Sequence, residues 1–145
     1  MNENNELLLH LAKNAEMGVS STTKLLNTLK NKENKIKPLL ENELKEYEYF
    51  KKKTEKLLKK NKVDVPSTNI FAKISSDLGI KMETIKDNSD SAIGSMLIEG
   101  MTMGITSITS KIKVYQENTQ KNILKLAKEY VKFLEKEINK IKTFM

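Results

Sequence analysis

Cysteine is absent from this chain, which excludes disulfides, thiolate metal sites and cysteine nucleophiles together. The single histidine, His10, rules out a histidine-rich metal site and argues against a histidine-based catalytic triad. Tryptophan is also missing, and the 145 residues include only 5 Gly and 2 Pro. So few turn formers, set among abundant Lys, Glu, Leu, Ile and Asn, favour long helices over strands and tight turns. Arginine does not occur: all 26 basic residues behind the formal charge of +7 are lysines. Arginine supplies the bidentate fork that phosphate recognition favours. The lysines are therefore expected to be solvated helix faces, and nucleic acid is not the expected partner.

Long apolar runs are missing too. The most apolar stretch, Ile93 to Ile108, is interrupted by Glu99 and by several Ser, Thr and Gly, and it falls short of the roughly 20 apolar residues of a membrane span. It is expected to be the most buried helix of a bundle. The first six residues carry acids where a signal peptide would carry bases. A cytoplasmic protein with no membrane span is expected, forming one helical domain over residues 1–145.

Apolar residues recur at helical spacing in four blocks. Leu8, Leu11, Ala12, Ala15, Val19, Thr22, Leu26 and Leu29 predict a first helix from about Glu3 to Lys30. After a polar break, Pro38 marks a second helix start at about Lys35 to Lys37, and Leu40, Leu44, Tyr47, Phe50, Thr54 and Leu58 carry it to about Asn61. A third helix is expected to start near Asn88 to Asp90, where Asn and Asp can cap it, and to reach Lys113. Ile123, Ala127, Tyr130, Leu134, Glu137, Ile141 and Phe144 predict a fourth. The intervening Asn61 to Asn88 segment reads as an extended connection over Val63 to Asn69 and a short helix from Ile70 to Leu78, closed by Gly79. Two long helices, a long link and two long helices describe a four-helix bundle with an up-down-down-up crossover, in which helices one and two pack antiparallel and helices two and three point the same way.

Acids sit inside these apolar stripes. Glu16 lies beside Ala15 and Val19, Glu43 and Glu46 flank Leu44 and Tyr47, Glu99 falls within the most apolar helix, and Glu137, with Glu135 nearby, occupies the seam of the last helix. A buried carboxylate is costly unless it is paired, hydrogen-bonded or bound to a cation. Glu99, with the least polar surroundings, is expected in the interior with a definite partner such as Tyr47, Tyr130, a lysine or a cation.

With acids on each long helix and a long middle link, the chain resembles the ferritin-like superfamily, whose members bind two iron or manganese ions inside such a bundle. That family places one Glu on helices one and three and Glu-x-x-His on helices two and four. Glu16 and Glu99 match the single-Glu positions, and Glu43 or Glu46 could match the Glu of helix two. The expected histidines are replaced: Glu43 is followed three residues on by Glu46, Glu46 by Tyr49, Glu129 by Lys132 and Glu137 by Lys140. A lysine ammonium repels a cation and does not replace an imidazole. The resemblance thus implies a ferritin-like scaffold without its metal centre and without a cofactor. The alternative it leaves is a carboxylate-bridged di-iron or di-manganese protein, storing or oxidising metal, with Glu16, Glu43, Glu46, Glu99 and Glu137 as ligands.

Three further features stand out. Gly94, Gly100 and Gly104 each cost about 1 kcal/mol against Ala in a helix interior, so close packing or a partner contact is expected there, with Met96, Met101 and Met103 as an adaptable flank. Seven lysines crowd Lys51 to Lys62 with no aromatic among them; they complement the helix dipole and leave a basic nucleic-acid-associated protein as a second alternative. His10 reads as an edge residue. No phosphate-binding glycine loop, EF-hand or catalytic elbow occurs. The expectation is a non-enzymatic bundle acting through protein contacts, with a homodimer favoured.

Overall fold

The computed structural model describes residues 2–64 and 88–145. These residues form four long α-helices and no strand: α1 (Glu3–Thr28), α2 (Lys37–Lys60), α3 (Asp90–Tyr115) and α4 (Lys121–Lys142), with a 3₁₀ turn, Gln116–Asn118, between the last two. The expected short helix at Ile70 to Leu78 lies outside the described residues.

Local chemistry sets the helix ends. The Asn2 side chain accepts a hydrogen bond from the Asn5 amide at 2.9 Å, and Glu3 and Glu6 place negative charge in the first turn of α1. Pro38 stands in the first turn of α2, where its missing N–H is no loss. Ser89 caps α3 by accepting from the Ala92 amide at 3.2 Å. Helix α2 closes differently. Lys62 adopts φ 58°, and the Lys62 and Val63 amides donate to the Lys59 and Leu58 carbonyls at 3.0 and 2.9 Å. This is a Schellman closure with lysine at the left-handed position that glycine usually fills.

One apolar core joins all four helices, through residues such as Leu8 and Leu11 of α1, Leu40 and Phe50 of α2, Ile93 and Ile108 of α3, and Tyr130 and Leu134 of α4. Helices α1 and α2 run antiparallel: Asn61 Nδ2 at the end of α2 donates to Asn5 Oδ1 near the start of α1 at 3.0 Å, and midway the Tyr47 ring lies on Gly18. A Cβ at Gly18 would land on that ring, so glycine is what lets the two helices approach. Helices α3 and α4 are also antiparallel, with Gly94 near the start of α3 against Ile141 and Met145 at the end of α4. Side chains tie the two pairs together at both ends. Asn34, in the α1–α2 turn, donates to the Asn88 carbonyl at 2.8 Å and to Asp90 Oδ1 at 2.9 Å, while the Gln120 amide donates to Asn4 Oδ1 at 2.7 Å.

Helix α3 departs from its expected burial. Only one of its faces, with Ile93, Leu97, Met101, Gly104, Ile108 and Ile112, enters the core. Its outer face is solvent-exposed and made of Ser, Thr and Gly, with Met103 and Val114 each 68% exposed. The stretch looked apolar all round because uncharged Ser, Thr and Gly do not break a hydrophobic pattern as sharply as charge does. Gly104 does serve close packing, its Cβ position lying 3.2 Å from the Asn14 side chain and 3.4 Å from Leu134 Cδ1. Gly100 does not: nothing lies within 4 Å of its Cβ position.

Candidate functional site

The most unusual chemistry in the bundle lies where α2 and α4 face each other. Four aromatic side chains build a wall there. Phe50 meets Tyr130 edge-on with centroids 5.1 Å apart, and Tyr47 meets Phe133 the same way at 5.1 Å, contacts that add about 0.5–1.5 kcal/mol each beyond area burial. The Tyr130 hydroxyl donates to Asn14 Oδ1 of α1. Burial pushes the hydroxyls of Tyr47 and Tyr130 above the usual tyrosine range, reinforced for Tyr47 by Glu43 and Glu137. Both tyrosines stay neutral at ordinary pH.

Against this wall sit two carboxyl groups, Glu43 of α2, fully buried, and Glu137 of α4, 4% exposed. They are neighbours, and both Glu43 oxygens and Glu137 Oε2 are shielded from solvent with no partner outside the pair. Two adjacent buried carboxylates cannot both ionise cheaply. Burial first, and then the hydrogen bond and charge of Glu137, push Glu43 up to about 9. Glu43 is therefore a neutral acid at pH 7, donating its proton to Glu137. The remaining Glu137 oxygen, Oε1, accepts from Lys140 Nζ at 3.3 Å. One proton and one ammonium thus compensate the pair.

The other acids expected at a shared site are elsewhere. Glu16 of α1 is bound to Lys51 of α2 at 2.8 Å, a pairing that raises the Lys51 pKa, and Ser20 donates to its other oxygen at 3.5 Å. Glu46 is exposed. Glu99 is exposed as well, which corrects its expected place in the interior: it lies on the outer face of α3 beside Gly100, and helical periodicity turns it away from Leu97 and Met101. Among the described residues no three acid or histidine side chains converge on a point that could hold a metal ion. His10 lies near Lys111 and Lys13, and burial and those charges lower its pKa, so its imidazole is neutral at pH 7.

The donor set does not fit a dimetal centre. Of five candidate ligands only Glu43 and Glu137 meet, and Lys140, three residues after Glu137, puts an ammonium where the family pattern has an imidazole. An open groove of about 520 Å³ runs along the outside of the pair, lined by Lys45, Glu46, Lys136 and Lys140 among others. It contains no histidine or activated hydroxyl, and the proton of Glu43 is enclosed behind it. The arrangement holds a proton on a buried carboxyl pair beside an ammonium.

Asn14 and Gly18 belong to this site and were not marked by sequence reasoning. Each was one polar or small residue within an apolar stripe, and only Gly18, at helical spacing between Ala15 and Thr22, offered a signal. No family model matches this chain, and comparison with curated proteins and with solved structures returned no match. No helix among the described residues is long and apolar enough to cross a membrane.

Proposed function

We propose that this protein is a non-enzymatic helical bundle of ferritin-like, up-down-down-up topology that acts through protein contacts as a homodimer in the cytoplasm. The observation that supports the reading is the buried Glu43–Glu137 pair, with the Lys140 ammonium on Glu137 Oε1 three residues on, where the resembled sequence pattern would have a histidine. The crossover is supported by contacts at opposite ends of the bundle. Asn34, before α2, reaches Asn88 and Asp90 at the start of α3, whereas Asn61, after α2, and Gln120, after α3, both reach the start of α1.

The contact surface in this reading is the outer face of α3. Between Ser91 and Ser110 its one charged residue is Glu99. Two copies of a chain with charge +7 repel each other wherever lysines face lysines, and this face avoids that. An antiparallel pairing about Met103 would bring two exposed methionines together while keeping the two Glu99 carboxylates about 12 Å apart along the helix axis. Light scattering on the purified protein is expected to give roughly 33 kDa, twice the 16.6 kDa of one chain, and Met103→Lys should reduce it to the monomer. A monomer at tens of micromolar in the unsubstituted protein would refute the dimer.

A further inference from the structure

The lysines are not spread evenly over the bundle. Residues 51–62 contain seven lysines and one glutamate, and residues 121–136 contain five lysines and two glutamates. Together they hold nine net positive charges, two more than the whole chain, so the rest of the protein is slightly acidic. These segments are far apart in sequence and adjacent in the fold. Phe50 contacts Tyr130 and Phe133, and the end of α2 and the start of α4 both bond to the first turn of α1, through Asn61 to Asn5 and Gln120 to Asn4. The outer sides of α2 and α4 therefore form one basic face at one end of the bundle.

Its geometry suits a charged polymer. Lys53, Lys56 and Lys60 on α2, and Lys125, Lys128 and Lys132 on α4, are all exposed. Each trio steps by three and four residues and spans about 10 Å, in rows on neighbouring antiparallel helices. Lys51 is already paired with Glu16; the self-repulsion of the other eleven lysines costs stability unless an anion neutralises them, and the helix dipole at the end of α2 accounts for only the last turn. The lysine segment itself has no aromatic residue, but the fold supplies one: Tyr49, 48% exposed, lies one turn before Lys53, whose ammonium donates to its hydroxyl at 3.0 Å and sits 5.4 Å from the ring centroid. An exposed ring among backbone-neutralising cations is the combination used for bases that are not already stacked in a duplex.

We propose that the basic face of α2 and α4 binds single-stranded nucleic acid, with the lysine rows along the phosphates and Tyr49 as a stacking surface. This goes beyond the dimer reading and does not rest on it, because the face lies on α2 and α4 and leaves the outer side of α3 untouched. The test is fluorescence anisotropy of a labelled oligothymidylate across a salt series. About four phosphate contacts predict a slope of log K against log salt near −3. Replacing Lys53, Lys56, Lys125 and Lys128 together by Glu should weaken binding at least a hundredfold and flatten the slope. The same four charge reversals at Lys30, Lys32, Lys35 and Lys142, at the opposite end, should change affinity less than threefold. Tyr49→Ala should weaken the single strand about tenfold or more and leave a duplex of equal length nearly unaffected. Equal losses in the two quadruple variants would overturn the proposal, because general charge attraction would then explain binding. So would absence of oligonucleotide binding at low salt, or preference for phosphatidylserine vesicles over the oligonucleotide.

Discussion

Replacing Glu43 by Gln should make this protein more stable at neutral and alkaline pH, although the residue is fully buried. Glu43 is held up to about 9, against 4.5 for an ordinary glutamate, first by burial and then by Glu137. Between those values the folded protein keeps a proton that the unfolded chain has released. Stability from this group is therefore complete below about pH 4.5 and falls as pH rises, by about 1.4 kcal/mol per unit, until the folded group itself ionises near 9. Over the window from about pH 5 to pH 8 the loss reaches about 4 kcal/mol as an upper bound. Glutamine has nearly the same volume, stays neutral throughout, and keeps an N–H to donate to Glu137. Urea unfolding followed by circular dichroism across this window should show Glu43→Gln close to the parent at pH 5 and more stable by roughly 2–4 kcal/mol at pH 8. Parallel pH profiles for the two proteins would refute the shared proton.

Other expected outcomes follow from the packing. Gly18→Ala forces a methyl group into the Tyr47 ring and should cost about 1–3 kcal/mol, whereas Gly100→Ala, with open space around it, should gain up to about 1 kcal/mol in the same unfolding assay. Lys62→Gly should stabilise the end of α2 by about 1 kcal/mol, because it relieves a left-handed lysine; a lower melting temperature would count against the Schellman closure. Glu99→Gln should leave stability within about 0.5 kcal/mol of the parent, as for any exposed residue without a structural role.

Helix content and boundaries were legible in the sequence because apolar residues at helical spacing must face one core: α1, α2 and α4 begin and end within a few residues of where Leu8 to Leu29, Pro38 to Leu58 and Ile123 to Phe144 place them. The buried acids were legible only in part. Glu137 lies within its apolar stripe and is buried, and Glu43 flanks its stripe and is also buried, whereas Glu46 and Glu99, equally plausible by neighbours in sequence, point outward. On α2 three positions, or about 60° around the helix, separate buried Glu43 from exposed Glu46, and uncharged Ser, Thr and Gly around Glu99 hid which side was the outside. The partners were not legible at all. Nothing in either segment alone says that Glu43 will meet Glu137, that Asn14 will receive the Tyr130 hydroxyl, or that two lysine clusters 60 residues apart will share a face, since each depends on which helices become neighbours.

The claim that a proton and Lys140 stand where a metal centre would be is tested most directly by elemental analysis of protein produced in medium supplemented with iron and manganese. The account predicts far less than one ion of either metal per chain, because only two carboxyl groups meet and one of them faces an ammonium. About two ions per chain, lost when Glu43 or Glu137 is replaced by Ala, would contradict it and make this bundle a dimetal protein.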